Sequence, residues 1–202
     1  MDKSKTIIVI IDDDPRFKND PFILEAKELF EDVIFFDDPN QGLEYVQLNM
    51  QRRMIVVLDL AFPDLLPDGH KVLQLIRDLS FLIPVIIWSA RDEDKEEFAD
   101  LIKNRAFSFL KKTASSEEIV IELKKADDTI NSSIDIALEE WINAHSEEQK
   151  NQPYMVTVDG KQFSLGDLLY EIRKQTAIGK EFSKSLSKLT IDLISRNKES
   201  LN

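Results

Sequence analysis

Ile7-Ile8-Val9-Ile10-Ile11-Asp12-Asp13-Asp14 joins five β-branched aliphatic residues to three carboxylates. An apolar run of this length reads as a strand buried on both faces. The pattern recurs twice: Met54-Ile55-Val56-Val57-Leu58 runs into Asp59, and Pro84-Val85-Ile86-Ile87-Trp88 runs into Ser89. In a parallel sheet covered by helices, groups at the carboxyl ends of the strands converge where the strand order reverses. Carboxylates crowded there repel one another unless a cation neutralises them, and an all-oxygen set favours a hard cation such as Mg2+.

The intervening sequence alternates in the way such a sheet requires. Residues 33–36 read as the second strand, and residues 39–49, 68–78 and 92–104 as helices. Asp20 is a good N-cap and Pro21 a good first helical residue, so the first helix starts there. A fifth helix starts near Ser115 or Ser116, whose hydroxyls can cap it.

From about residue 6 to 127 these features resemble the receiver domain of two-component response regulators. The resemblance rests on the acidic pair Asp12-Asp13, on Asp59, on Ser89 before the small Ala90, and on Ala106-Phe-Ser-Phe-Leu-Lys-Lys112. Matching Phe109-Leu110 to the family's aromatic strand places its lysine at Lys112 rather than Lys111. Singly, each residue has a bland reading: a strand-ending turn, a helix cap, a solvated lysine, a loop hydroxyl. The ordered set is far more specific than any member.

The resemblance implies an α/β, flavodoxin-like, doubly wound five-stranded parallel sheet in the order 2-1-3-4-5. It implies Asp59 as a phosphoacceptor attacking a phosphohistidine or small phosphodonor to give an acyl phosphate. Asp12, Asp13, Asp59 and the backbone carbonyl of Ala61 would hold Mg2+. Lys112 would neutralise phosphoryl oxygens, Ser89 would hydrogen-bond one of them, and Ser89 with Phe109 would form the conformational switch. Positioning and charge neutralisation dominate such chemistry. The implied partner is a sensor histidine kinase or phosphotransfer protein. The implied role is that of a phosphoacceptor with at most autophosphorylation and self-dephosphorylation, rather than an enzyme turning over a foreign substrate.

The chain also departs from the family. Pro15-Arg-Phe-Lys-Asn-Asp20-Pro21 lengthens the connection before the first helix, and residues 62–69 form a loop about two residues longer than usual over Asp59. Arg105 stands where glycine is usual, and Thr113 where proline is frequent. Trp88 reads as core packing, close enough to the site to report on it by fluorescence.

With 202 residues and 43% hydrophobic composition, the chain suits one ordinary domain and a small second one. There is no cysteine, which excludes disulfides and thiolate chemistry, and two histidines, His70 and His145, are too few for a histidine-rich metal site. The run 7–11 is too short for a signal segment or a membrane span, so the expected localisation is cytoplasmic, with no membrane partner. The net charge of −12 is uneven: residues 1–150 hold 18 basic and 32 acidic side chains, residues 151–202 eight and six. The acidic part argues against bulk nucleic-acid affinity.

Residues 128–152 read as a helical extension and linker, and 153–202 as a small module. The stripe Leu123, Ala126, Ile130, Ile134, Ala137, Trp141, Ala144 predicts one helix over 116–144, roughly 40 Å long. Asp159-Gly160 between apolar positions predicts a hairpin. Ser164 with Asp167 reads as a capping-box variant opening a helix whose face is Leu165, Leu168, Leu169 and Ile172. After a break at 175–179, Phe182, Leu186, Leu189, Leu193 and Ile194 form the face of a second helix. Lys180, Lys184 and Lys188 make a basic row that reads as a solvated face or a DNA-contacting one. Three functions follow: a response regulator whose residues 116–202 mediate homodimerisation or another protein contact, a transcriptional regulator with a divergent DNA-binding tail, or a receiver-like scaffold independent of phosphorylation.

Overall fold

The structure, a computed structural model, describes residues 3–90 and 95–199. The chain divides into two compact units, residues 1–132 and 133–202.

In the first unit, β1 (Ser4–Ile11), β2 (Phe30–Phe36), β3 (Met54–Leu58), β4 (Val85–Ser89) and β5 (Ser108–Lys111) form a parallel sheet in the order β2-β1-β3-β4-β5. This is the expected doubly wound order, and it reverses at β1. Ile7 to Ile11 are wholly buried, as are Ile55, Val56 and Leu58 of β3, because helices cover both faces. β2 is longer than the expected 33–36 because Phe30 anchors its start in the interior.

The flanking helices are α1 (Pro21–Leu29), α2 (Pro39–Leu48), α3 (Gly69–Leu79), α4 (Lys95–Lys103) and α5 (Ser116–Ser132). Asp20, Asp38 and Asp68 cap the first three, each accepting a backbone N–H of the first turn. The expected start of the fourth helix at 92 lies outside the described residues. Arg77 of α3 is an uncommon buried cation: its guanidinium donates to the carbonyls of Asn104, Ser80, Ile83 and Arg105. Burial pulls its pKa down to about 10. These bonds hold the turn before β5, where Arg105 takes φ 51°, the left-handed region that explains the family's glycine.

The second unit holds α6 (Ile134–Asn143), the single turn α7 (Glu147–Lys150), the antiparallel hairpin β6 (Pro153–Val156) and β7 (Gln162–Ser164), α8 (Leu165–Arg173) and α9 (Ala177–Glu199). Gly160 at φ 84° makes the predicted turn, and Ser164 and Asp167 form the predicted capping box. Leu165, Leu168, Leu169 and Ile172 are all buried, as the spacing predicts.

The expected single helix over 116–144 is two helices. Ser133 has extended backbone (φ −80°, ψ 120°) and its hydroxyl accepts from the N–H of Ile136, so it caps a new helix. The boundary between the units therefore falls at 132/133, inside the extension read as 128–152. The restart changes the buried face: Ile142 is wholly buried, whereas Ile134, Ala137, Trp141 and Ala144 are exposed.

On α9, Phe182 is buried, while Leu189 and Leu193, at 57% and 61%, are exposed rather than packed. The reason is length: α8 has nine residues and α9 has 23, so α9 outruns its neighbour. The side chain of Ile194 lies outside the described residues. Lys180, Lys184 and Lys188 are exposed.

Ser133→Ala removes the cap of α6 and is expected to cost about 1 kcal/mol in urea unfolding, whereas Ser133→Asp stays within a few tenths.

Candidate functional site

Strand register sets the site. Ile11 lies opposite Leu58 in the β1–β3 ladder, so Asp12 and Asp59 leave the sheet at the same height. The N–H of Asp59 donates to the carbonyl of Ile11 (2.9 Å). Asp12 is 1% exposed and Asp59 3%. Asp13 joins them: ligand oxygens of the three carboxylates lie within 4.8 Å of one another. This hard, all-oxygen donor set fits a hexacoordinate cation such as Mg2+.

Lys112 closes the site from the far end of β5. Its Nζ lies 2.6 Å from Asp59 Oδ2 and 2.8 Å from Asp12 Oδ2. The register Ser89↔Lys111, with the Lys112 N–H donating to the Ser89 carbonyl (3.0 Å), delivers it there. Ordering by the aromatic strand thus selected the lysine that reaches the carboxylates.

The remaining carboxylate oxygens are held by backbone. Asp59 Oδ1 accepts from the N–H groups of Leu60 (2.7 Å) and Ala61 (3.3 Å), and Asp12 Oδ1 accepts from that of Asp14 (2.9 Å). Burial pushes the Asp12 carboxyl up to about 6, against the opposing pull of Lys112 and of the Asp14 N–H. For Lys112, burial works to lower the pKa, but hydrogen bonds and charge from Asp12 and Asp59 together raise it above the ordinary lysine value.

Ser89 is fully buried at the end of β4, beside Lys111 in register. Phe109 of β5 is half-buried and meets Phe98 edge-to-face at 6.4 Å.

Two features of the site were not drawn from the sequence. Gly69 opens α3 against the backbone of Asp59: a Cβ there would lie 2.1 Å from the Asp59 carbonyl oxygen. Phe17, in the lengthened segment after β1, forms part of a short 3-10 helix (Pro15–Asn19) and reaches Lys112 and Trp88. The Asp-Gly pair at 68–69 signalled the first; nothing local signalled the second.

A family comparison matches residues 8–124 to the response regulator receiver domain. Solved structures agree on the fold. A CheY-like receiver domain protein from Methanospirillum hungatei JF-1 aligns at TM-score 0.55 and 20% identity, covering 64% of this chain and 100% of that one. A receiver domain protein from Clostridium thermocellum aligns at TM-score 0.54 and 23% identity, covering 62% and 97%. A CheX–CheY complex with BeF3 and Mg2+ from Borrelia burgdorferi aligns at TM-score 0.51 and 20% identity, covering 59% and 87%. No curated protein matches the chain.

The sheet order and the strand-end carboxylates define a receiver-type α/β unit. The chain belongs to the response regulator receiver domain family, whose members serve two-component signalling, generally bind Mg2+ at an acidic pocket and interact with histidine kinases or phosphotransfer proteins. No helix among the described residues is long and apolar enough to cross a membrane.

The Asp12 shift has a definite sign. Its folded pKa of about 6 exceeds the reference 3.8, so the stability it contributes is full below 3.8 and is lost as pH rises through 6. Without divalent cations, Asp12→Asn is expected to exceed wild type at pH 7 by on the order of 2 kcal/mol, the gap closing toward pH 4 in urea titrations. Gly69→Ala is expected to lose about 2 kcal/mol or more, since its Cβ would meet the Asp59 and Leu60 backbone.

Proposed function

We propose that this chain is a response regulator that accepts a phosphoryl group on Asp59 with Mg2+ and transmits the change through protein contacts of its C-terminal region. The observation that carries the reading is the Lys112 ammonium at 2.6 Å from Asp59 and 2.8 Å from Asp12, beside Asp13, inside the family match.

An oxygen of Asp59 attacks phosphorus, the new O–P bond forms as the P–N bond of a phosphohistidine breaks, and the imidazole leaves with the electron pair. When bound to Asp12, Asp13, Asp59 and the Ala61 carbonyl, Mg2+ supplies charge neutralisation for the phosphoryl oxygens. The Leu60 and Ala61 N–H groups orient one Asp59 oxygen, and Lys112 takes a phosphoryl oxygen in place of the free carboxylate. Ser89 donates to a second oxygen, and Phe109 reports the occupied state. The Borrelia CheY structure with BeF3 and Mg2+ supports the same ligands here. The partner is a sensor histidine kinase or phosphotransfer protein. The chain is a phosphoacceptor rather than an enzyme with a foreign substrate.

Trp88 lies 5.8 Å from Lys112 Nζ by its ring centroid, so its emission reads the site directly. With Mg2+, beryllofluoride is expected to change Trp88 fluorescence saturably in wild type and not in Asp59→Asn. Light scattering on the same samples shows whether the occupied state alters oligomeric mass. Lys112→Ala is expected to weaken the mimic by more than about tenfold, the worth of a lost charge-assisted hydrogen bond. A wild-type protein indifferent to the mimic would make the chain a receiver-like scaffold.

A further inference from the structure

The segment Pro15–Asn19 is built to present one side chain. Asp14 caps this 3-10 turn by accepting the N–H of Arg16 at 3.0 Å, and its carboxylate also takes the Arg16 guanidinium through both oxygens. The N–H of Asp20 closes the turn onto the Phe17 carbonyl at 3.1 Å. The same Asp14 donates its own N–H to Asp12 Oδ1, so the turn is tied to the carboxylate cluster.

Phe17 is the half-buried residue this arrangement projects inward. Its ring lies 4.6 Å from the Lys112 ammonium by centroid, and it meets the Trp88 ring edge-to-face, also at 4.6 Å. Trp88 is 1% exposed and also meets Phe22 of α1 edge-to-face at 5.1 Å. The Lys112 side chain, 10% exposed, thus has both carboxylates and ring faces about its ammonium.

We propose that Phe17 is a positioning residue for the phosphoryl site: with Trp88 it forms an aromatic seat that confines the Lys112 ammonium to the position where it meets the Asp59 oxygens and, on the reading above, the phosphoryl group. A lysine has four rotatable side-chain bonds and its ammonium is strongly hydrated, so it holds one place only if something fixes it. The two carboxylates draw the charge inward but leave its lateral position free. A ring face attracts the ammonium and displaces water from one side of it. The seat matters most once Asp59 carries the phosphoryl group as an acyl phosphate, because that oxygen is then no longer a full negative partner for Lys112.

The test uses full-length wild type, Phe17→Leu and Phe17→Tyr. Leucine keeps apolar bulk and removes the ring; tyrosine restores the ring. Two quantities are read: the affinity for beryllofluoride with Mg2+ by calorimetry, and the rate of reductive methylation of Lys112 by peptide mass spectrometry, with exposed Lys111 as internal reference. Phe17→Leu is expected to weaken beryllofluoride about tenfold and to speed Lys112 methylation several-fold relative to Lys111, with both restored in Phe17→Tyr. Unchanged relative methylation of Lys112 in Phe17→Leu overturns the seat, whatever happens to the mimic. Equal acceleration at both lysines also overturns it, since that marks general loosening. A wild type that ignores beryllofluoride, combined with the expected Lys112 response, overturns the phosphoacceptor reading and leaves the seat standing.

Discussion

Two carboxylates as buried as Asp12 and Asp59 cannot share one crevice without a cation, and Lys112 is the cation this fold supplies. Removing charge from water is expensive, and the cost is offset here only by close pairing and by backbone N–H groups on the remaining oxygens. Much of the first unit serves that meeting. The β1–β3 register levels the two aspartates, the β4–β5 register delivers the lysine, and Gly69 lets α3 begin against the Asp59 backbone. The balance is incomplete, and the raised Asp12 pKa records the remainder. A group left partly uncompensated is ready to accept a stronger counter-charge.

The sheet was legible because burial on both faces leaves little freedom of composition: the runs at 7–11, 54–58 and 84–88 have to be apolar throughout. Helix starts at Pro21 and Leu165 were legible because capping is local chemistry. The order of acidic, hydroxyl and lysine positions was legible for a different reason, the family resemblance, which also decided between Lys111 and Lys112. The structure brings Asp12, Asp13, Asp59 and Lys112 together and sets Ser89 and Phe109 on the adjoining strands, while the part played by each in phosphoryl transfer rests on chemical argument.

What periodicity missed was tertiary. The apolar stripe across 123–144 keeps its phase through Ser133, so it carries no mark of the break there; only a side chain capping a new helix shows it. Ile142 then buries in place of Trp141. Leu189 and Leu193, spaced for a face on α9, stay more than half exposed beyond the reach of the shorter α8, a matter of relative length that spacing does not encode. Arg77 defeats the expectation that charge lies outside, since its bonds go to carbonyls scattered over several turns. Phe17, Trp88 and Lys112 are distant in sequence and belong to three separate segments, so no window along the chain could associate them.

The two tryptophans are divided one to each unit: Trp88 sealed in the first, Trp141 42% exposed in the second beside His145 and Tyr154. An indole in a dry interior emits to the blue of one in contact with water and is screened from collisional quenchers. Acrylamide would therefore silence the second unit's emission first and leave the first unit's signal standing. The intact chain thus carries its own pair of optical labels, by which the melting of each unit can be followed in one cuvette without adding a dye.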